Sequence, residues 1–446
     1  MKFSFEKIPG SITAPKGFLA AGVFCDIKKL GTGKGSRKEK KRDLAVIVSA
    51  VPAAVAGMFT TNQVCAAPVK ICAMQIKKGN ASAIVVNSGN ANACTGAQGL
   101  RDTKTMAEFA AKKLNLSAKN ILVASTGRIG VPLPMVNVKK GISAAAKLLN
   151  NSEENAHHVA EAIMTSDTRP KEIAIEFSLG GKKIRIGGVC KGAGMIHPGM
   201  SPNAARPAAA PKNFGALHAT MLCFITTDVA IESQILQTAL NEAVAQSFNR
   251  ITVDGDMSTN DTVLILANGL AGNSRFRIHD SRFNIFQSVL NHLTLELAKM
   301  IVRDGEGVSR FVTIKISGAK NFADADVAVR AVGNSALVKT SWHGGDPNWG
   351  RILCALGYSS AKIVQEKIDV AYSLPGRKKL LFSLKRGQPI KTSFEALCKI
   401  TAQKEFDLHI NLNLGRASAL LYASDLTEEY VDFNKGDVSN PSSLGG

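Results

Sequence analysis

The sequence predicts an α/β fold of layered sheets with mixed strand directions. Three observations carry that expectation. Runs of β-branched residues alternate with segments whose apolar residues recur at helical spacing. The strand-like runs are nearly continuous, as in Asp-Leu-Ala-Val-Ile-Val-Ser-Ala at 43–50, which suits strands buried on both faces. A composition 45% hydrophobic and 20% charged supplies enough apolar surface for a large core. At 446 residues the chain is long for one ordinary domain and suggests two lobes.

Asp43–Ala50 is the first strand. Ala81–Val86 is another, and it runs into Asn87-Ser-Gly-Asn-Ala-Asn92, a cluster of turn formers. Thr103–Leu114 has helical spacing. Asn120–Ala124 is a strand that opens into Ser125-Thr126-Gly127-Arg128-Ile129-Gly130. A glycine lets backbone N–H groups turn toward a ligand, and the hydroxyl beside it adds a donor, so this turn is a candidate anion cradle. Helices follow at Val138–Leu149 and Glu153–Met164, the second stopped by Pro170 after Thr165-Ser-Asp-Thr-Arg169. Glu172–Ser178 and Lys183–Val189, joined by Gly180-Gly181, read as a hairpin that delivers the chain to Lys191-Gly-Ala-Gly-Met-Ile-His-Pro198.

Ser201–Leu217 is rich in Ala, Pro and Asn, has no period, and reads as an exposed, mobile loop. An apolar strand then runs from Thr220 to Asp228. A small residue, a threonine and a buried strand form the local pattern of a self-cleaving nucleophile. The Thr220 hydroxyl can attack the Ala219 carbonyl and shift the acyl group from nitrogen to oxygen. Hydrolysis of that ester leaves Thr220 with a free α-amine beside its own hydroxyl. Taken alone, Ala-Thr before a strand more often means a plain loop entering the core.

Gln234–Phe248 is a helix. The polar turn Val253–Thr262 precedes the strand Val263–Ala267; its paired aspartates lack calcium-loop spacing, so no metal is expected. Arg282–Ile301 is the longest helical pattern. It ends in Arg303-Asp-Gly-Glu-Gly307, where Glu306 between two glycines is placed to bind an ammonium group; an exposed turn acid is the plain alternative. The strand Arg310–Ser317 and the helix Asp324–Val332 follow. Asp346-Pro-Asn-Trp-Gly-Arg351 reads as a rigid turn with a packed tryptophan. Asp407–Asn413 and Ala417–Tyr422 alternate as a hairpin around Gly415, and Asn440–Gly446 is a loose tail.

Several classes of function are disfavoured. The longest apolar runs, such as Leu44–Val55, contain Ser and Pro and fall short of a membrane span. Lys2, Glu6 and Lys7 interrupt any apolar signal core, so a cytoplasmic location is expected. The eight cysteines form no Cys-x-x-Cys pair and read as reduced thiols. The net charge is +20, yet the densest basic run, Lys34–Arg42, carries no aromatic residue for base stacking and reads as a solvated loop. No nucleic-acid or membrane partner is expected. The phosphate-loop, dinucleotide and Gly-x-Ser-x-Gly signatures are all missing.

Jointly, the motifs resemble one family, the glutamate N-acetyltransferases, also called ornithine acetyltransferases, of the cyclic arginine pathway. They are Asp43-Leu-Ala-Val-Ile, Asn87-Ser-Gly-Asn-Ala-Asn-Ala-Cys-Thr95, Ala124-Ser-Thr-Gly127, Ile163-Met-Thr-Ser-Asp-Thr168 and Lys191-Gly-Ala-Gly-Met-Ile-His-Pro198. Ala219-Thr-Met-Leu, Phe224-Ile-Thr-Thr-Asp228, Ser258-Thr-Asn-Asp-Thr262, Arg303-Asp-Gly-Glu-Gly307, Asp346-Pro-Asn-Trp-Gly-Arg351 and Asp425-Leu-Thr427 with Tyr430-Val431 continue the series in the family's order. The resemblance implies an architecture similar to N-terminal nucleophile enzymes, built from both fragments of a self-cleaved precursor. Residues 1–219 would be the alpha fragment and 220–446 the beta fragment, with cleavage between Ala219 and Thr220. It implies that Thr220 takes acetyl from N2-acetylornithine and passes it to glutamate. It assigns Thr126 and Gly127 to the oxyanion hole. Thr165, Lys191, Thr220, Glu306, Asn434 and Ser439 are assigned to substrate binding. No cofactor is implied, acetyl-CoA stays open as a second donor, and a heterotetramer of two alpha and two beta fragments is expected.

Two features depart from the family's pattern. Ser201–His218 stands between the Pro-x-Met step and the Ala-Thr pair, and Lys435-Gly-Asp-Val438 replaces an aromatic-containing ending. Two rival functions follow: a self-processing amidase that sends the acyl group to water, and an uncleaved, non-catalytic homologue.

Overall fold

The computed structural model describes residues 4–28, 41–202 and 221–435. Ala219, Thr220, Ser439, the basic run over 34–40, the inserted segment beyond Pro202 and the tail lie outside the described residues. The chain forms two compact units. One is Met1–Asn249 with Asp256–Ile301, and the other is Arg250–Gly255 with Val302–Lys435.

The first unit is built on a nine-stranded sheet. Its strands are β1 (Phe5–Ile8), β2 (Phe18–Val23), β3 (Leu44–Phe59), β4 (Asn80–Asn90), β5 (Ile121–Arg128), β6 (Lys171–Leu179), β7 (Lys182–Lys191) and β8 (Leu222–Thr227). After the short β9 (Ile251–Thr252) of the second unit comes the last of them, β10 (Thr262–Ala267). The order is β1-β6-β7-β8-β10-β3-β4-β5, with β2 beside β3. β8 runs parallel to β10 and β4 parallel to β5, while the other pairs are antiparallel. Residues on both sides of position 220 therefore share one sheet.

Along β3 the side chains alternate between two apolar clusters. Ala45 and Ile47 join α1 (Ala67–Gln75) and α4 (Glu153–Ile163), which contribute Val69, Cys72 and Val159. Leu44, Val46 and Val48 join α2 (Gly96–Leu114) and α3 (Met135–Leu148), which contribute Met106, Val138 and Ile142. A strand whose two faces are both apolar has to be covered twice, and this is the layering the composition predicts. Two more helices, α5 (Ser233–Gln246) and α6 (Ser281–Arg303), follow β8 and β10 in the chain. Among the described residues no helix is long and apolar enough to cross a membrane. Cys25, Cys65, Cys72, Cys190 and Cys223 are buried, and burial pushes the Cys72 thiol up to about 12.

The second unit holds a seven-stranded sheet. After β11 (Phe311–Ala319) come three helices, α7 (Phe322–Asn334), α8 (Ala336–His343) and α9 (Trp349–Gly357). Then follow β12 (Asp369–Ser373), β13 (Leu381–Lys385), β14 (Gln388–Pro389), α10 (Phe394–Thr401), β15 (Glu405–Asn411), β16 (Ala417–Ser424) and α11 (Glu428–Phe433). The order is β14-β13-β12-β15-β11-β16-β9.

Three expectations are corrected. The hairpin around Gly415 does not form: β11 lies between β15 and β16, parallel to the first and antiparallel to the second. The connection crosses the end of β11, where the N–H groups of Leu414 and Gly415 donate to the Gly318 carbonyl at 2.7 and 2.9 Å. Ser125–Arg128 is strand, because β4 continues beside it through Asn87–Asn90, which local turn preference alone had ended. Trp349 opens a helix, because the Asn348 side chain accepts from the Arg351 N–H at 3.0 Å and caps it.

Candidate active site

In the first unit the expected oxyanion pair sits at the end of β5. Thr126 is fully buried, and its hydroxyl has no hydrogen-bond partner among the described residues. A buried polar group normally has a partner, so this hydroxyl is left available to a bound group. The backbone around it is held from three sides. The Ser125 hydroxyl donates to Asn87 Oδ1 at 2.7 Å. The Asn260 amide donates to the Ala91 and Ser125 carbonyls at 2.7 and 2.8 Å, stapling the ends of β4 and β5 together. At Gly127, with φ +127°, a Cβ would lie 2.4 Å from the Gly89 carbonyl carbon and 2.6 Å from the Asn90 nitrogen. Only glycine fits there, because neither neighbour is a movable side chain.

Two of the expected binding residues meet at the end of β7. The ammonium of Lys191, which is fully buried, donates to the Thr165 hydroxyl at 2.6 Å. Beneath them lies Asp167. Its Oδ1 accepts from Lys171 Nζ at 2.6 Å and the Gly192 N–H at 2.7 Å; its Oδ2 accepts from the Thr165 N–H at 2.9 Å and lies 3.8 Å from Lys191 Nζ. Burial by itself would raise the Asp167 carboxyl. The Lys171 and Lys191 ammoniums and the Gly192 N–H instead hold it well below the usual carboxylate range.

Position 220 lies outside the described residues, but its covalent neighbour is fixed on both sides. The Met221 N–H donates to Asp261 Oδ1 at 3.0 Å, and the Thr262 N–H donates to the Met221 carbonyl at 3.1 Å. Asp261 and Met221 are both buried.

In the second unit, Glu306 and Asn434 come together: Asn434 Nδ2 donates to Glu306 Oε2 at 2.9 Å. Glu306 is buried at 6% exposure, so the exposed-turn alternative is overturned. The loop that carries it is tied down. The Thr427 hydroxyl donates to the Gly307 carbonyl at 2.6 Å, and Asp425 Oδ1 accepts from the Ser309 and Arg310 N–H groups, each at 2.9 Å. Gly307, at φ +64°, lets the loop lie against α11, where a Cβ would meet the Tyr430 nitrogen at 2.5 Å.

The sequence reading missed the residues that hold these groups: Asn87, Asp167, Lys171, Asn260, Asp261 and Asp425. All but Lys171 fall inside motifs already noted for the resemblance, so the signal was present without a role attached.

Within the first unit, the arrangement is one suited to an acyl-transfer enzyme: a buried hydroxyl without a partner among the described residues beside an obligate glycine, and a buried ammonium braced by a carboxylate. Comparison with known proteins agrees. The ArgJ family model matches residues 28–436. An arginine biosynthesis bifunctional protein ArgJ from Symbiobacterium thermophilum is 44% identical over 429 residues, covering 96% of this chain and 98% of that protein. A glutamate N-acetyltransferase from Methanocaldococcus jannaschii is 43% identical over 434 residues, again covering 96% and 98%. A solved structure of ornithine acetyltransferase from Mycobacterium tuberculosis, complexed with ornithine, is 34% identical. It covers 44% of this chain and 100% of that one, with a TM-score of 0.40. The chain belongs to the ArgJ family, and it is an acyltransferase of arginine biosynthesis.

Proposed function

We propose that the protein cuts itself between Ala219 and Thr220 and then transfers acetyl from N2-acetylornithine to glutamate through an acetyl-Thr220 ester. The first half-reaction forms the Thr220 Oγ–acetyl bond and breaks the amide to ornithine, whose nitrogen takes the threonine's proton. In the second, the glutamate amine attacks the ester and Thr220 recovers its hydroxyl. The free α-amine of Thr220 serves as the base in both steps. The Thr126 hydroxyl and the Gly127 N–H stabilise the tetrahedral oxyanion. Lys191, seated on Thr165, binds the α-carboxylate of either amino acid, and Glu306, held by Asn434, binds an ammonium group. Ser439 is assigned with Asn434, and acetyl-CoA is a candidate second donor. Two copies of each fragment form the assembly.

The observation that carries this reading is the buried Thr126 hydroxyl, without a partner among the described residues, beside Gly127. The names of the curated relatives support the substrates. A denaturing gel of the purified protein tests the cleavage: two fragments split before Thr220 are expected, and Thr220→Ala should stay in one piece. Incubation with N-acetylornithine, with and without glutamate, tests the transfer. Ornithine release indifferent to glutamate would make the protein an amidase.

A further inference from the structure

We propose that Asp167 is a positioning residue that fixes both the place and the charge of Lys191. The inference rests on the reading of Lys191 as the carboxylate ligand.

Lys191 is fully buried. A buried ammonium stays charged only beside an anion or in a dense set of acceptors. The Thr165 hydroxyl that accepts from it at 2.6 Å is neutral. Asp167 Oδ2, 3.8 Å away, brings a negative charge beside it. That separation is too long for a hydrogen bond, so Asp167 neutralises the ammonium without taking one of its three protons.

Asp167 also sets the position. Its two oxygens accept the N–H groups of Thr165 and Gly192, the former the residue that bonds Lys191 and the latter the residue that follows it. One carboxylate therefore ties the segment after α4 to the end of β7 and defines where the Thr165–Lys191 pair stands. Lys171, bonded to Oδ1 at 2.6 Å, is the second cation on this anion. The field of a third, Lys28, also reaches Asp167 and Lys191. Asp167 thus stands between two buried ammoniums, Lys171 and Lys191.

Asp167→Asn by itself leaves Lys171 buried without its counterion and endangers the fold. The test is therefore the double variant Asp167→Asn with Lys171→Met, which removes both charges. It should fold and self-cleave like the wild type. KM for both N-acetylornithine and glutamate should rise roughly 10- to 100-fold with kcat within about threefold, the signature of lost ground-state binding. The alkaline limb of kcat/KM should move down by about one pH unit or more, because Lys191 without its anion loses its proton at lower pH. Asp167→Glu, which keeps the charge but displaces it, should raise KM and leave that limb in place. A folded double variant with wild-type KM and an unmoved alkaline limb overturns the inference. So does an Asp167→Glu variant in which that limb moves. A wild type that releases no ornithine would fail the functional proposal instead.

Discussion

Thr126→Val separates the fold's use of this side chain from the chemistry's. The hydroxyl is buried and bonds nothing among the described residues. An unsatisfied buried hydroxyl carries a desolvation cost of roughly 1–3 kcal/mol. Valine keeps the β-branched shape that suits β5 and removes the polar atom. The variant should therefore be as stable as the wild type, or more stable by about 1 kcal/mol, which moves Tm by at most a few degrees. The transfer rate should move the other way. Loss of one oxyanion donor costs roughly 100- to 1,000-fold in kcat, or about 2.7–4 kcal/mol. The proposed self-cleavage would pass through the same kind of tetrahedral oxyanion, so the two fragments should also appear more slowly on a denaturing gel. The assays are thermal unfolding of the purified chain and glutamate-dependent ornithine release from material already cleaved. A Thr126→Val enzyme with wild-type kcat would refute the oxyanion role. A loss of more than about 2 kcal/mol would show that the hydroxyl has a structural partner, contrary to the orphaned-group argument.

Gly127→Ala should destabilise the first unit by about 3 kcal/mol or more, because its Cβ would meet backbone atoms of Gly89 and Asn90 at positive φ; thermal unfolding reads this, and a normal Tm would refute the close approach. Asn434→Ala removes a charge-assisted bond to Glu306 and should raise KM for N-acetylornithine roughly 5- to 10-fold; an unchanged KM would refute a binding role for the Glu306–Asn434 pair. Lys339, buried against the Trp342 ring and bonded to the Ser424 carbonyl, is pushed down by burial from the ordinary lysine value of 10.5 to about 8, despite the pull of Asp254 and Asp425. Between those two values the unfolded chain holds the extra proton, so stability should rise with pH across that window by up to about 3 kcal/mol. Lys28 adds to the same slope, and Lys339→Met should flatten it in pH-dependent denaturant titrations; an unchanged slope would refute the assignment.

The parts of this protein legible in the sequence are those that depend on a few neighbouring residues. Period and β-branching mark β3, β8 and β10 as buried strands, and a hydroxyl followed by glycine marks Thr126-Gly127 as a candidate cradle. The same local pattern cannot say which strand pairs with which. The alternation in β15 and β16 records one buried face each, and it is equally satisfied by a hairpin or by two strands flanking β11. Nor could it say that Glu306 is buried, since that depends on Gly307 allowing the loop to lie against α11.

What is missing from a local reading is of one physical kind. Each candidate site residue stands near a strand end or in a loop, where part of the backbone's donors and acceptors lies outside the ladder. Each is closed by a carboxylate or amide from elsewhere in its own unit. Asn260 takes the Ser125 carbonyl from 135 residues away, Asp261 takes the Met221 N–H from 40, and Asp425 takes the Ser309 N–H from 116. Asp167 takes the Gly192 N–H from 25. A strand end finished by its own turn would spend those donors locally and leave the next side chain free to move. Closing it from a distance holds the residue beside it in one place, as at Ser125 next to Thr126 and Gly192 next to Lys191. The short polar motifs are therefore mixtures of residues that act and residues that hold another segment's actor still. Only the fold, by pairing segments that no local window spans, separates the two.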